Sequence, residues 1–256
     1  MSTTRQPDSS VLLMRSLALT LPVGMRLDGH AHAWPQLVFA ARGALAVAVT
    51  DRQWVVPPTR ALWVPAHAVH EVEALGDVSL RTLYLASSKT SPAGQGICVL
   101  DVSPLLRELI LEVTRIGSLE QDSAVHQHLA GLIHDQLGRA TRLRLELPLP
   151  RDPRARRVAD LARADLRHSV TLSDLAADSG ASARTIERLF HAETGLAFGQ
   201  WRQQARLQHA LRRLAESADV ATAAAECGYE SVSAFVSMFR QALGVTPGQY
   251  LRGAKE

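Results

Sequence analysis

Two histidines separated by one residue, His30 and His32, are the side chains of this sequence best suited to hold a metal ion. They fall in residues 24–34, a segment with the character of a β-strand. Side chains two positions apart on a strand point to the same face, so both imidazoles face one way. The interior of a small barrel can bring His70 alongside them. Three imidazoles around an open coordination position suit a divalent transition metal.

The elements that must position these histidines are short strands spaced closely along the N-terminal half. Eight segments alternate or run apolar, and Pro, Gly or Asp-Arg pairs separate them. They are residues 12–21, 24–34, 36–41, 44–49, 53–56, 61–64, 70–74 and 80–86. Strands at such intervals predict a small β-barrel or jelly roll.

The same region resembles the cupin family at two motifs. The residues that match the first motif by spacing are Gly24, His30, His32, Gln36 and Gly43; those that match part of the second are Pro65 and His70. The resemblance implies a metal site with four ligands, namely His30, His32, Gln36 and His70. Zn, Ni, Fe and Mn all suit such ligands, which do not choose among them.

Three residues depart from the cupin pattern. Gln36 stands where most cupins have Glu, His67 where they have Gly, and Ala74 where they have Asn. His67 is therefore either a fifth ligand or an exposed residue. Two alternatives to a metal also stay open: a sensor barrel that binds only an organic ligand, and histidines that simply form hydrogen bonds inside the barrel.

Aromatic side chains of the predicted strands are candidates for the wall of an effector pocket. A small aromatic or heterocyclic effector suits such a lining. These residues are Trp34, Trp54, Trp63 and Tyr84. Taken singly, each of them fits ordinary core packing better than a ligand wall.

Residues 101–139 change to a helical period. Ser103-Pro104 begins one helix and Gly117 ends it. A second helix is predicted from about Leu119, with an inner face made by Val125, Leu129, Leu132, Ile133 and Leu137. Residues 141–152 contain Pro148 and Pro150 and are predicted to be the interdomain linker.

The C-terminal part of the chain repeats one helix-turn-helix pattern. Leu172, Leu175, Ala176 and Gly180 recur 48 positions later as Val220, Ala223, Ala224 and Gly228. Each set ends on the Gly that a tight turn between helices requires. Residues 198–217, between the two units, are predicted to form one continuous helix about 30 Å long. One DNA turn measures about 34 Å, so this spacer helix can present two recognition helices to successive major grooves.

Residues 153–253 resemble the DNA-binding domain of the AraC/XylS family of bacterial transcription regulators. The matching residues include Leu175-Ala176, Gly180, Ser182, Arg184, Ile186, Phe190, Gly195, Trp201-Arg202, Gly228-Tyr229, Ser231, Phe235, Phe239, Gly244, Thr246-Pro247 and Tyr250. Segments of the N-terminal half, among them His-x-His-x-Trp, resemble a subgroup whose DNA-binding domain follows a cupin barrel. The resemblance implies a homodimer formed through the helix pair, RNA polymerase as a partner if the protein activates, and control of a neighbouring transporter gene.

The first recognition helix carries the side chains best suited to read bases. Ser182 is a good N-cap, which places Arg184, Glu187 and Arg188 on the first turns. Each Arg can bind guanine through two hydrogen bonds, and Glu187 can accept one from cytosine.

The second recognition helix begins at Ser231 and is predicted to read DNA weakly. It presents Val232, Ser233, Val236 and Ser237, which suit thymine methyl groups or DNA shape. Five further arginines are assigned to phosphates: Arg202, Arg206, Arg212, Arg213 and Arg240.

Composition and charge are consistent with this assignment. The net charge is +3, and the whole excess lies in residues 151–256, which hold 15 Lys plus Arg against 12 Asp plus Glu. Cys98 and Cys227 have neither a disulfide nor a zinc-finger spacing. The polar segment Met1–Ser10 is unlike a signal peptide, and no apolar run is long enough for a membrane span, so we expect a cytoplasmic protein without a membrane partner.

The sequence therefore predicts an α+β chain of two domains. Residues 1–100 form a cupin-like barrel, 101–140 a helix pair, 141–152 a linker, and 153–253 an all-α domain with two helix-turn-helix units. The predicted function is sequence-specific binding to promoter DNA, controlled by a small molecule or a metal in the barrel, with activation and repression both open. The alternative is a metal-dependent cupin enzyme whose helical tail serves packing only.

Overall fold

The computed structural model describes residues 12–86, 96–143, 145–166, 170–216 and 218–253. The predictions for Met1–Ser10 and for Ser217 lie outside these ranges. Among the helices described, none is long and apolar enough to cross a lipid bilayer.

The N-terminal half forms one antiparallel sheet. Its strands are β1 (Leu12–Leu21), β2 (Arg26–His30), β3 (Gln36–Val49), β4 (Arg52–Val56), β5 (Arg60–Val64), β6 (His70–Leu85), β7 (Cys98–Asp101), β8 (Ser118–Glu120), β9 (Arg142–Leu143) and β10 (Leu147–Pro148). The order along the sheet is β8-β1-β6-β3-β5-β7-β9, with β2 paired to β6, β4 to β3 and β10 to β4. The predicted cupin-like sheet domain is confirmed.

Two long strands, β3 and β6, replace the four short strands predicted over the same residues. Gly43 and Gly76 were expected to break the strands, but each takes a positive φ, 78° and 81°, inside one. The β3–β6 register shifts beside Gly43, between Ala40 and Ala44, so the ladder bends there without ending. A Cβ at Gly43 would lie 2.6 Å from the carbonyl oxygen of Asp77. The strand expected over residues 24–34 is also shorter, Arg26–His30.

The helix pair covers one face of the sheet. Helix α1 (Pro104–Ile116) begins at the Ser103 cap and ends at Gly117, as predicted. The predicted start of the second helix at Leu119 is wrong because Ser118–Glu120 pairs with β1 as β8; α2 (Ala124–Arg139) begins after the Ser123 cap. Val125 and Leu132, expected on its inner face, are 64% and 46% exposed.

The segment between the domains is built into the sheet. Strand β9 pairs with β7, and β10 pairs with β4. Leu147 and Leu149 are buried with residues of the helical domain. The linker expected over residues 141–152 thus contacts both domains.

The C-terminal half is helical and contains the repeat predicted from the sequence. Its helices are α3 (Pro153–Ala164), α4 (Leu172–Ala177), α5 (Ala183–Thr194), α6 (Phe198–Ala215), α7 (Val220–Glu226), α8 (Val232–Leu243) and α9 (Pro247–Gly253). Helices α4–α5 and α7–α8 are the two helix-turn-helix units. The turn residues Gly180 and Gly228 have φ values of 74° and 76°, and the C-caps Gly195 and Gly244 have 73° and 77°. These left-handed conformations favour Gly, as the repeat required.

Candidate functional site

Three histidines of the sheet domain lie together. His30 and His70 are cross-strand partners of β2 and β6, and His32 lies two residues after the end of β2. The ring centroids of His30 and His70 are 4.4 Å apart, those of His30 and His32 4.9 Å, and those of His32 and His70 5.5 Å. One ring nitrogen from each lies within 4.8 Å of the other two. The structure thus brings together the three predicted imidazole ligands.

Backbone carbonyls set the tautomers of two of these rings. The Nδ1–H of His30 donates to the carbonyl of Asp28 at 2.6 Å, and that of His70 donates to the carbonyl of Ala68 at 3.0 Å. Each donation leaves Nε2 with its lone pair, which is the form that binds a metal. Burial lowers the pKa of His32 and of His70 and so favours the neutral ring.

Gln36 offers an amide oxygen whose orientation is fixed by its neighbours. The hydroxyl of Thr82 donates to the carbonyl of Leu37 at 3.0 Å, so it can only accept from Gln36. The Nε2 of Gln36 lies 2.9 Å from that hydroxyl and 3.3 Å from the Tyr84 hydroxyl. The Oε1 of Gln36 is left buried, and no hydrogen bond within the described part of the chain satisfies it.

The Nε2 atoms of His32 and His70 are buried and unsatisfied in the same way. Burying a polar atom without a partner costs about 1–3 kcal/mol. Three such acceptors in one region form a set that a cation would satisfy. The donors that the sequence predicts therefore fit a divalent transition metal.

A cavity of about 480 Å³ adjoins the histidines. His30, His32, Gln36 and Tyr84 contribute to its wall. The rest of the wall is mainly apolar and includes Leu17, Leu19, Leu27, Val38, Val72 and Leu80. This volume lies within the range of small-molecule sites, about 300–1,000 Å³.

The first recognition helix, α5, exposes two arginines. The hydroxyl of Ser182 accepts from the Thr185 N–H at 3.3 Å, which is the predicted N-cap. Arg184 and Arg188 are exposed, and neither forms an ion pair within the described ranges. Glu187, predicted to read cytosine, instead accepts from the Phe198 N–H at 3.1 Å and holds the start of α6.

The second recognition helix, α8, exposes little hydrogen-bonding capacity. Ser231 caps it by accepting from the Ala234 N–H at 3.2 Å. Val232, Ser233 and Ser237 are exposed, whereas Val236 is half-buried.

Family models match both halves of the chain. A helix-turn-helix domain model matches residues 175–253, and a model of the AraC-like ligand binding domain matches residues 25–151. The HTH-type transcriptional regulator NimR of Escherichia coli K12 is 33% identical over 91% of this chain and 83% of its own length. The chain belongs to the AraC family of DNA-binding transcriptional regulators.

Two further similarities differ in how much of the chain they cover. The transcriptional activator NphR of a Rhodococcus species is 45% identical over 32% of this chain and 24% of its own. Among solved structures, ToxT of Vibrio cholerae covers 94% of this chain and 98% of its own at 9% identity and a TM-score of 0.40.

The aromatic residues predicted to line an effector pocket of this AraC-family regulator lie in different places. Tyr84 lies in the cavity wall, with its ring centroid 4.8 Å from that of His32. Trp54 lines a second cleft of about 760 Å³ between the two domains. Trp63 is buried on the opposite face of the sheet, against the helix pair, and Trp34 is half-buried and lines neither space. Alternation along β5 points Trp63 away from the histidines.

His67 is exposed and takes a positive φ of 63°. Its backbone N–H donates to the carbonyl of His32 at 2.7 Å. The position thus keeps the left-handed turn that a glycine usually provides. His67 stands outside the cluster of three histidines, which decides between the two roles that the sequence left open.

Most of the arginines assigned to phosphate have partners within the protein. Arg202 donates to the carbonyl of Val170 at 2.6 Å, and Arg206 lies over the Tyr229 ring. Arg212 pairs with Glu73 and Arg213 with Glu226. Arg240 is exposed without such a partner in the described ranges. Charge alone does not distinguish an arginine that holds a fold from one that meets DNA.

Contacts between the two domains were not predicted by any sequence signal. Arg60, buried on β5, donates to the carbonyl of Leu243 at the end of α8. The Gln208 amide of α6 donates to the carbonyls of Gln53 and Leu145, both at 2.8 Å. The helical domain is therefore docked on the sheet domain through polar contacts that are buried or partly buried.

Proposed function

We propose that this regulator binds a divalent transition metal through His30, His32, His70 and the Oε1 of Gln36. The observation that carries the proposal is the set of buried, unsatisfied atoms on His32, Gln36 and His70, beside which the ring of His30 lies. When bound, the metal acts as a Lewis acid that can accept a donor atom from an effector. The residues themselves orient the site: Asp28 and Ala68 fix the two tautomers, and Thr82 binds the amide nitrogen of Gln36, which leaves the amide oxygen available to the metal.

A small effector occupies the adjoining cavity in this proposal. The leucine and valine side chains of the cavity wall favour an effector that is compact and largely apolar. Burial raises the pKa of Tyr84, which keeps the phenol protonated and neutral beside the ligand. Effector and metal together shift how the DNA-binding domains are presented at a promoter, provided that they favour one arrangement of the protein over another.

Metal content tests the site. Protein purified without chelator and then loaded with Zn²⁺, Ni²⁺, Fe²⁺ or Mn²⁺ is expected to hold about one ion per chain, measured by plasma mass spectrometry. His70→Ala removes one ligand and is expected to weaken binding by at least tenfold; His30→Ala tests the same site at a less buried residue. His128→Ala, on the exposed surface of α2, is the control. Metal content near zero in the parent, or equal in the parent and both site variants, contradicts the site.

The DNA-binding role falls to Arg184 and Arg188 as base readers in α5, with Ser182 capping that helix. In α8, Val232, Ser233, Val236 and Ser237 make weaker contacts after the Ser231 cap, and Arg240 meets phosphate. Exposure of the two α5 arginines without internal partners supports this division. The structure favours a structural role for Arg202 and Glu187.

A second copy of the chain is the partner proposed for the helix pair. Three apolar side chains of α1 and α2 are left in solvent: Leu105 at 50%, Val125 at 64% and Leu132 at 46% exposure. Sedimentation equilibrium is expected to show a dimer that Leu132→Glu weakens by about tenfold. A monomer at micromolar concentration contradicts the assignment. RNA polymerase is a further partner if the regulator activates.

A further inference from the structure

The spacer helix α6, which joins the two helix-turn-helix units, also packs on the sheet domain. Leu207, Leu211 and Leu214 share one hydrophobic cluster with buried residues of β3 and β6. The same helix therefore contacts both DNA-binding units and the domain that holds the histidines.

Glu73 of β6 makes the ionic contact of this interface. Its Oε2 accepts from the Nη2 of Arg212 on α6 at 3.1 Å. Its Oε1 lies 3.5 Å from the Nη2 of Arg26 on β2. The hydrogen bond from Arg212 lowers the pKa of Glu73, which keeps the carboxylate charged. Glu73 thus ties β2, β6 and α6 together.

The two strands that carry this contact also carry two of the histidines. In the β2–β6 ladder, His30 faces His70 and Arg26 faces Glu73. Glu73 lies three residues beyond His70, roughly 10 Å along the strand. The register shifts between Leu27 and His30, so the ladder is irregular between the two ends.

The docked arrangement holds the imidazole nitrogens up to 4.8 Å apart. Two nitrogens bound to one Zn²⁺ at about 2.0–2.1 Å each lie at most about 4 Å apart. Loading therefore draws the ring nitrogens closer together, and because His30 and His70 are cross-strand partners, this change bears on the β2–β6 ladder. Such a movement acts on Arg26 and Glu73 at the other end of the same ladder.

A second close contact fastens the same region. Gly76 of β6 approaches the end of α6, and a Cβ at this position would lie 2.7 Å from the carbonyl oxygen of Ala215. This contact and the Glu73 contact lie three residues apart on β6.

We propose that metal loading of the histidine site and docking of the spacer helix at Glu73 and Gly76 oppose each other, so that loading releases α6. The inference rests on the proposed metal site and adds its route to the DNA-binding domain. Coupling between two equilibria is reciprocal. Loosening the docking must therefore tighten metal binding, and the effect can be measured without knowing the operator.

The first test is the dissociation constant of Zn²⁺ from the full chain, measured by competition with a chromophoric chelator. Arg212→Gln is expected to tighten Zn²⁺ binding by roughly five- to tenfold, at the lower end of the usual range of coupling between sites. Arg213→Gln is the matched control because Arg213 is adjacent on α6 but pairs with Glu216 and Glu226 inside the helical domain. The control is expected to stay within twofold of the parent.

The second test uses two glycines that share one backbone conformation. Gly76 and Gly24 have φ values of 81° and 75°, so Ala strains the backbone similarly at both. An added Cβ collides with Ala215 only at Gly76, because nothing lies within 4 Å of it at Gly24. Gly76→Ala is expected to tighten Zn²⁺ binding, and Gly24→Ala is not.

The outcomes separate the coupling from the metal site. Zn²⁺ affinity that is unchanged or weaker in both Arg212→Gln and Gly76→Ala overturns the coupling but leaves the site intact. An equal change in Arg213→Gln or Gly24→Ala overturns it as well, since the effect is then not specific to docking. A parent protein that binds no Zn²⁺ overturns the proposed site and the coupling together.

Discussion

The double variant Arg184→Ala, Arg188→Ala is expected to bind its selected DNA sequence roughly 30- to 10⁴-fold more weakly than the parent. A good bidentate contact between Arg and guanine contributes about 1–3 kcal/mol of discrimination, and two such contacts sum to this range. Both side chains are exposed at the start of α5, where a recognition helix meets base edges. The measurement is fluorescence anisotropy with a duplex that the parent protein selects from random-sequence DNA.

A control variant with the same loss of positive charge separates the effect of the α5 position from the general electrostatic attraction to DNA. Arg115 and Arg139 are exposed on α1 and α2, each beside an acidic partner on its own helix. Replacing both with Ala also removes two positive charges but leaves α5 intact. This control is expected to bind within about threefold of the parent. If the α5 double variant binds as tightly as the parent, or weakens selected and unrelated duplexes equally, the assigned recognition helix is wrong.

Most local signals were predicted correctly because they depend on neighbouring residues alone; the Ser123 cap of α2 is the exception. Ser103, Ser182 and Ser231 cap their helices as predicted, and Gly195 and Gly244 end theirs in the left-handed conformation. An N-cap and a C-cap are decided within one helical turn, so the printed sequence contains what they need.

Glycines within strands show the limit of prediction from neighbouring residues. A positive φ at Gly43 is compatible with a turn between two strands or with a bend inside one. The choice depends on whether the partner strand continues, and here β6 continues past Gly76. A short stretch of sequence does not show which distant strand it pairs with, so four strands were predicted where two exist.

The candidate site divides in the same way. The spacing His30-x-His32 correctly predicted that the two rings lie together, although His32 lies beyond the end of β2, and the cupin resemblance supplied His70 and Gln36. The orientation of the Gln36 amide depends on Thr82, which is 46 residues away, and so could not be predicted. The contact of Glu187 with the start of α6 could not be predicted for a similar reason: its partner is the backbone of the next helix, which a charged residue on a recognition helix does not reveal.

The stability of the DNA-binding domain is expected to depend strongly on Trp201. Its side chain is fully buried, and its ring lies 5.2 Å from Phe190 and 6.1 Å from Phe198 between centroids. Trp201→Ala is expected to lower the free energy of unfolding by about 3–5 kcal/mol, the usual cost of removing a buried aromatic ring. The measurement is urea denaturation followed by circular dichroism at a helical wavelength.

The indole of Trp201 also ties the helical domain to the connecting segment, because its Nε1–H donates to the carbonyl of Pro148 on β10 at 2.6 Å. Trp201→Phe keeps an aromatic ring and removes this hydrogen bond, so a smaller loss of about 1–2 kcal/mol is expected. The two variants together separate the contribution of ring packing to stability from that of the hydrogen bond. A Trp201→Ala protein within 1 kcal/mol of the parent would show that the aromatic cluster does not limit the stability of this domain, whereas equal losses in both variants would assign the effect to the hydrogen bond.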